Sequence, residues 1–434
     1  MLAFAATLPV FARLAEIGGR KAIYLAGFAL FGLFSALCGL APNLMLLIVF
    51  RILQGASGAA LGANSLVILV AAAGPERRGK AVGVMAAAQA VGLSLGPALG
   101  GALLAAFGWR AIFWVTVPFA LLGAALGWLI VPKTKVFAKE DRFDALGAAL
   151  LVPALVAFLL ALTELPAWGL SPPLVVSALA ALILLALFVR REAQAPAPLI
   201  HLSLFRVTAF SAGAVGVLVS YGLLYGMLFA MSFALVRGYH DPSFAAGLRL
   251  TIVPVALGLV APFSGAAADK RSRLGMLGGM AFCGLAALAL TRLLTGSPAS
   301  LPGVMVALAA FGVGLGLYIA PNNSATLGAA PADRQGVAGG LVNLLRVLGT
   351  GVGVAAASAM LSWRLEATAQ THGRTASASE PALLAAVGAA LIMLAAFAAL
   401  GAIVAFIRSD PEAGRRKAAA PAPPRPDPIA RPVA

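Results

Sequence analysis

Apolar stretches of about 20 residues, each long enough to cross a hydrocarbon layer roughly 30 Å thick, recur along nearly the whole chain with short polar connections between them. They fall at about 22–40, 43–71, 81–107, 111–131, 145–162, 173–190, 207–236, 246–265, 274–294, 302–328, 337–361 and 382–407. A shorter apolar piece, 1–11, precedes them and lacks the basic start and small-residue cleavage site of a secretory leader. In lipid each backbone polar group must find its partner inside its own segment, so runs of this length read as helices. The expected fold is therefore all-α and integral to a membrane, with about twelve full spans and one partial one. Only 11% of the residues are charged and 61% are hydrophobic. Soluble domains carry about a quarter charged residues, so an ordinary soluble enzyme is excluded.

The net charge of +16 would point to nucleic acid in a soluble protein. Its distribution says otherwise. If successive connections alternate sides, 23 of the 31 Lys and Arg fall on one side, 5 on the other, and three (Arg51, Arg249 and Arg346) lie within spans. Basic residues collect on the cytoplasmic side of membrane proteins. The charge thus sets topology, leaves no nucleic-acid partner to expect, and puts the C-terminus in the cytoplasm. Residues 408–434, rich in Ala, Pro and Arg, read as a disordered cytoplasmic tail. Cys38 and Cys283 sit far apart in apolar runs, and His201, His240 and His372 are scattered among connections. No ligand set for a metal is visible, no cofactor is implied, and no nucleophile stands beside a base as an enzyme would need.

The chain repeats itself. Pro75-Glu76-Arg77-Arg78-Gly79-Lys80-Ala81-Val82-Gly83 matches Ala332-Asp333-Arg334-Gln335-Gly336-Val337-Ala338-Gly339-Gly340 at an offset of 257 residues, and the same offset carries Gln89 onto Arg346, Gly92 onto Gly349 and Gly96 onto Gly353. Ala12 to Lys21 likewise resembles Gly265 to Arg273. Two halves in parallel orientation follow, as in secondary transporters. The expected units are an incomplete N-terminal bundle at 1–131, two inserted spans with their loops at 132–206, and a C-terminal bundle at 207–407. Measured against the second half, the first half is short by about 47 residues, or one and a half spans.

Three local patterns carry chemistry. The first loop reads Ala12-Arg13-Leu14-Ala15-Glu16-Ile17-Gly18-Gly19-Arg20-Lys21. Here an acid can pair with arginine or with a helix N-terminus across the two halves, while glycines permit a tight turn; topology alone would also account for its basic residues. In Leu47-Ile48-Val49-Phe50-Arg51-Ile52-Leu53-Gln54-Gly55 a guanidinium sits inside a span with Gln54 three residues on. Such a charge is costly unless it faces a partner or water, the alternative being a snorkelling side chain. In Gly92-Leu93-Ser94-Leu95-Gly96-Pro97-Ala98-Leu99-Gly100-Gly101 the glycines bare one helix face for close approach by another backbone, and Pro97 removes a hydrogen bond and bends the helix.

Together these features resemble the major facilitator superfamily over nearly the whole chain, specifically its 14-span drug:proton antiporter branch. The family's loop signature Gly-x-Leu-Ala-Asp-Arg-x-Gly-Arg-Lys is present with Ala12, Glu16 and Ile17 in place of its Gly, Asp and first Arg. The resemblance implies a complete plan of six, two and six spans. It also implies a cytoplasmic gating loop of Glu16, Gly19, Arg20 and Lys21 with Asp269 in the second half, Arg51 with Gln54 in proton coupling, and Gly92, Gly96, Pro97, Gly100 and Gly101 as an antiporter seal. Gln89, Tyr221, Tyr225, Tyr318, Asn322, Asn343 and Arg346 are expected to line a substrate cavity, with ordinary helix packing the alternative for each. Aromatic faces and amides suit flat, amphipathic or cationic molecules.

The implied function is export of hydrophobic or amphipathic small molecules in exchange for protons, by a monomer in the bilayer of a bacterial inner membrane. None of the 15 acidic residues lies in mid-span, although a proton exchanger needs a titrating group in its cavity. A shortened, non-transporting relative or fragment and a proton-independent permease of the same fold are the alternatives.

Overall fold

The computed structural model describes residues 2–132, 143–168, 171–196, 198–331, 334–372 and 379–407. The tail at 408–434 lies outside the described residues, as does the basic loop at 133–142. The described secondary structure is helical: α1 (Leu2–Gly18), α2 (Arg20–Leu40), α3 (Leu44–Ala73), α4 (Arg78–Phe107), α5 (Ala111–Trp114), α6 (Thr116–Ile130), α7 (Ala145–Trp168), α8 (Pro172–Gln194), α9 (Thr208–Phe233), α10 (Ser243–Leu250), α11 (Ile252–Leu293), α12 (Leu301–Gly328), α13 (Gln335–His372) and α14 (Glu380–Ile407). Eleven segments among the described residues are long and apolar enough to cross a membrane, and α4, at 30 residues, is a further helix of spanning length. A helix meets each of the twelve predicted spans.

Side-chain exposure agrees with a lipid surround. Leu129 (77%), Phe119 (68%) and Leu259 (67%) stand fully outward on their helices, which water would penalise and hydrocarbon does not. Without a hydrophobic drive between helices, close backbone packing does the holding. At the crossing of α9 and α13, a methyl group on Gly353 would collide with the Gly222 carbonyl, so these helices touch backbone to backbone.

The helix α11 covers 42 residues, yet it is not a straight rod. Gly312 of α12 faces Val253, while Gly314, two residues on, faces Cys283. A straight helix rises about 1.5 Å per residue and cannot bring positions 253 and 283 to neighbouring points. The two halves of α11 therefore fold back on each other around 265–273, where the sequence predicts a loop between spans.

The first-half and second-half helices meet along two seams, α4 with α11 and α1 with α13. The helices α7 and α8, midway along the chain, pair with each other, and α7 also reaches α1 and α13. Their junction with α9 is tied down by charge: Arg191 donates to Asp144 at 3.1 Å, and Glu192 accepts from the Leu199 and Ile200 amides at 3.3 and 3.1 Å.

Candidate functional site

Two features stand out along the seam between the halves, a closure at the end carrying the Lys- and Arg-rich connections and a cavity beyond it. The closure centres on Glu16, which is 3% exposed. Gly19, at φ 89°, adopts the left-handed region that glycine enters without strain, and so turns α1 into α2. That turn stacks three charges. Arg13 Nη1 donates to Glu16 Oε2 at 3.0 Å, and Arg20 Nη2 lies 3.6 Å from Oε1. The second-half contact comes from Val337, whose N–H donates to Oε1 at 3.1 Å. This amide lies in the first turn of α13, where backbone donors have no partner within the helix and the dipole favours an anion. One carboxylate thus joins α1 and α2 to α13. Burial pushes its pKa above the ordinary carboxylate range, against the pull of Arg20, Arg13 and the Val337 amide.

Lys21 also reaches the end of α6. Its ammonium donates to the carbonyls of Trp128 and Val131 at 2.7 and 2.6 Å and caps the end of α6, as a cation at a helix C-terminus should. Asp269 lies in α11, but its side chain falls outside the described residues. Arg13 was absent from the expected gating set. Its spacing of three from Glu16 on a helix was the available signal.

The cavity, of about 930 Å³, is bounded by α1 to α6 from the first half and by α9, α11, α12 and α13 from the second. Of the residues expected there, Gln89, Tyr221, Tyr225 and Arg346 line it, together with Arg51 and Gln54. Arg51 Nη1 donates to Gln54 Oε1 at 2.8 Å, Gln54 Nε2 donates to Ser35 Oγ at 2.6 Å, and the guanidinium lies 5.4 Å from the centre of the Phe113 ring. Ser35 on α2 gave no signal in the sequence, since a lone serine in an apolar helix commonly bonds its own backbone. The Arg346 guanidinium lies 5.8 Å from the Tyr221 ring centre.

Three expected cavity residues sit elsewhere. Tyr318 and Asn322 are buried in the contact of α12 with α9, where Asn322 donates to the Gly213 carbonyl at 3.0 Å and Gly216 leaves room for both side chains. Asn343 donates to the Gly62 carbonyl of α3 and so ties the two halves together between closure and cavity. Asn322 and Asn343 thus each meet a glycine carbonyl on another helix, a pairing that helical spacing cannot foretell. Asn343 also borders a small void of about 20 Å³ with Asn323, Gln89 and Arg346.

The glycine row of α4 departs from expectation in its packing. A methyl group on Gly92, Gly96 or Gly100 would meet nothing within 4 Å. The close approach to α11 uses another face, where Gly83 meets Ala261 and Pro262, about half a helical turn from Gly92 at 100° per residue. The helix continues through Pro97 and Gly101, whose side chains fall outside the described residues.

The Major Facilitator Superfamily model matches residues 1–354. The chain belongs to this superfamily. Among curated relatives, the multidrug resistance protein Stp of Mycobacterium tuberculosis is 33% identical over 375 residues, covering 83% of this chain and 67% of the relative. The riboflavin transporter RibZ of Clostridioides difficile is 31% identical, covering 82% and 76%. The tetracenomycin C resistance and export protein of Streptomyces glaucescens is 28% identical, covering 84% and 68%. The crystal structure of the human organic anion transporter MFSD10 superposes with a TM-score of 0.62 at 16% identity, over 93% of this chain and 82% of that one, a likeness of fold. Its spans and its superfamily make the chain a multi-pass membrane protein, with exporters of drugs and a vitamin transporter among its relatives.

Proposed function

We propose that this transporter exports amphipathic small molecules from a bacterial cytoplasm by alternating access, in exchange for protons. The observation behind this reading is the Glu16 closure beneath a cavity shared by both halves. With the basic end cytoplasmic by the positive-inside rule, the conformation is closed to the cytoplasm, and rupture of the Glu16–Val337 contact would let the bundles rock to the opposite state. The relatives' names, two for drug resistance and one for a vitamin transporter, favour small organic substrates and an inner-membrane location. Proton exchange rests on the likeness of Arg51 and the Gly92 to Gly101 segment to the antiporter signatures. In this reading Arg51, held by Gln54 and Ser35, senses the state of the cavity, and the protein acts as a monomer without a cofactor and is not an enzyme.

The test is accumulation of amphipathic dyes in a bacterial strain lacking its own exporters. Cells making the protein should hold less dye than control cells. Collapse of the proton gradient should restore accumulation, and Arg51→Ala should abolish efflux at equal protein level. Efflux that survives the collapse would assign the protein to the proton-independent permeases.

A further inference from the structure

Orientation in the membrane asks for basic residues on the cytoplasmic side and gives a chain no reason to gather arginines at its outer end. Two of the few that lie there, Arg292 and Arg364, nevertheless line one groove of about 690 Å³. It opens at the end of the molecule opposite the Glu16 closure, where the last turn of α11, the outer part of α13 and the start of α14 come together. Both arginines are exposed. Glu380 also borders the groove and pairs with His240 of the α9–α10 connection, so the described rim carries two guanidiniums against one carboxylate. Beneath the rim the groove is apolar and follows α14: Leu384, Ala385, Gly388, Ala389 and Ile392 line it at helical spacing and share one face. A methyl group on Gly388 would meet nothing within 4 Å, and Ile392 is 57% exposed, so the floor lies open to the bilayer. From Glu380 to Ile392 the helix advances about 18 Å at 1.5 Å per residue, which compares with about 15 Å of hydrocarbon in one leaflet. Trp363, 60% exposed, stands on the wall beside Arg364, at the level where amphipathic rings favour the headgroup layer.

We propose that this groove binds an anionic phospholipid of the outer leaflet, with its phosphodiester on Arg292 and Arg364 and one acyl chain along the Gly388 face of α14. Guanidinium forks match phosphate oxygens in geometry as well as in charge. The succession of cationic rim, indole and open apolar floor repeats that of a lipid from headgroup to chain. A free phosphate would use the rim alone, and a zwitterionic lipid would bring its own cation against two others. The lipid is not cargo. On α13 the cavity residue Arg346 and the groove residue Arg364 are about 27 Å apart along the helix. A lipid seated here ties the outer ends of α11, α13 and α14 together, and α13 is the helix whose first turn meets Glu16.

Native mass spectrometry of the purified full chain in detergent counts bound lipids and protein copies in the same spectrum. The probes are phosphatidylglycerol and phosphatidylcholine with identical acyl chains, with inorganic phosphate as competitor. One phosphatidylglycerol should bind at least about ten-fold more tightly than phosphatidylcholine. Arg292→Gln combined with Arg364→Gln should erase most of that ratio, and the corresponding pair of lysines should keep part of it. Gly388→Leu, which fills the floor and leaves both charges in place, should weaken phosphatidylglycerol binding about three-fold or more. A large excess of inorganic phosphate should leave the lipid bound. Equal binding of the two lipids, or a preference unchanged in the glutamine pair, would overturn the site. Binding unchanged in Gly388→Leu would overturn the path of the chain, and displacement by phosphate would make the rim a site for a free anion. A dimer in the wild type that the glutamine pair abolishes would put a second copy of the chain in the groove instead of a lipid. The lipid comparison and the phosphate competition need the wild-type protein alone and decide the matter even if a variant fails to fold.

Discussion

Glu16 is a carboxylate almost without water, and its charge is divided among two guanidiniums and a backbone amide of the other half of the molecule. Its removal should be felt at Val337. A hydrogen bond to a charged group contributes about 1.5–3 kcal/mol, so Glu16→Ala should lower the hydrogen-exchange protection of the Val337 amide by about ten-fold or more, read by mass spectrometry of the full chain. The same residue gives the closure a pH dependence. Because burial raises the carboxyl pKa in the closed state, closing takes up protons. Its contribution is full below the ordinary carboxylate range and fades as pH rises through the raised value. Protection of Val337, normalised to the intrinsic exchange rate, should therefore fall with rising pH in that window. It should stay flat in Glu16→Gln, which keeps the acceptor and loses the titration. The residue stands out in the sequence as an acid among basic residues at a loop. Its partner was less so, since a backbone amide has no signature of its own.

At the scale of helices, periodicity and length revealed every span, because the requirement to satisfy the backbone in lipid leaves little choice. They revealed less about which faces meet. Gly83 and Gly96 look alike in sequence, yet one lies against the Ala261 carbonyl and the other against open space. Gly83→Leu should lower the unfolding temperature in detergent, by an overpacking cost of about 1–3 kcal/mol. Gly96→Leu should leave it within about 0.5 kcal/mol of the parent. Equal destabilisation by the two would mean that the Gly92 to Gly100 row also packs against another helix in the detergent-solubilised protein. The polar residues of α12 and α13 teach the same lesson. Asn322 and Asn343 sit at helical spacing from cavity-compatible neighbours, but a rotation of a few tens of degrees decides whether an amide faces a cavity or a neighbouring carbonyl. The carbonyls that these amides meet belong to Gly213 and Gly62 on the opposing helices.

For the molecule as a whole, the internal repeat carried real information, since it placed Gln89 and Arg346 opposite one another and both reach the shared cavity. What it left open was how the space is divided: helices from both parts of the chain line it, so any movement of one part against the other changes the shape that a bound molecule meets.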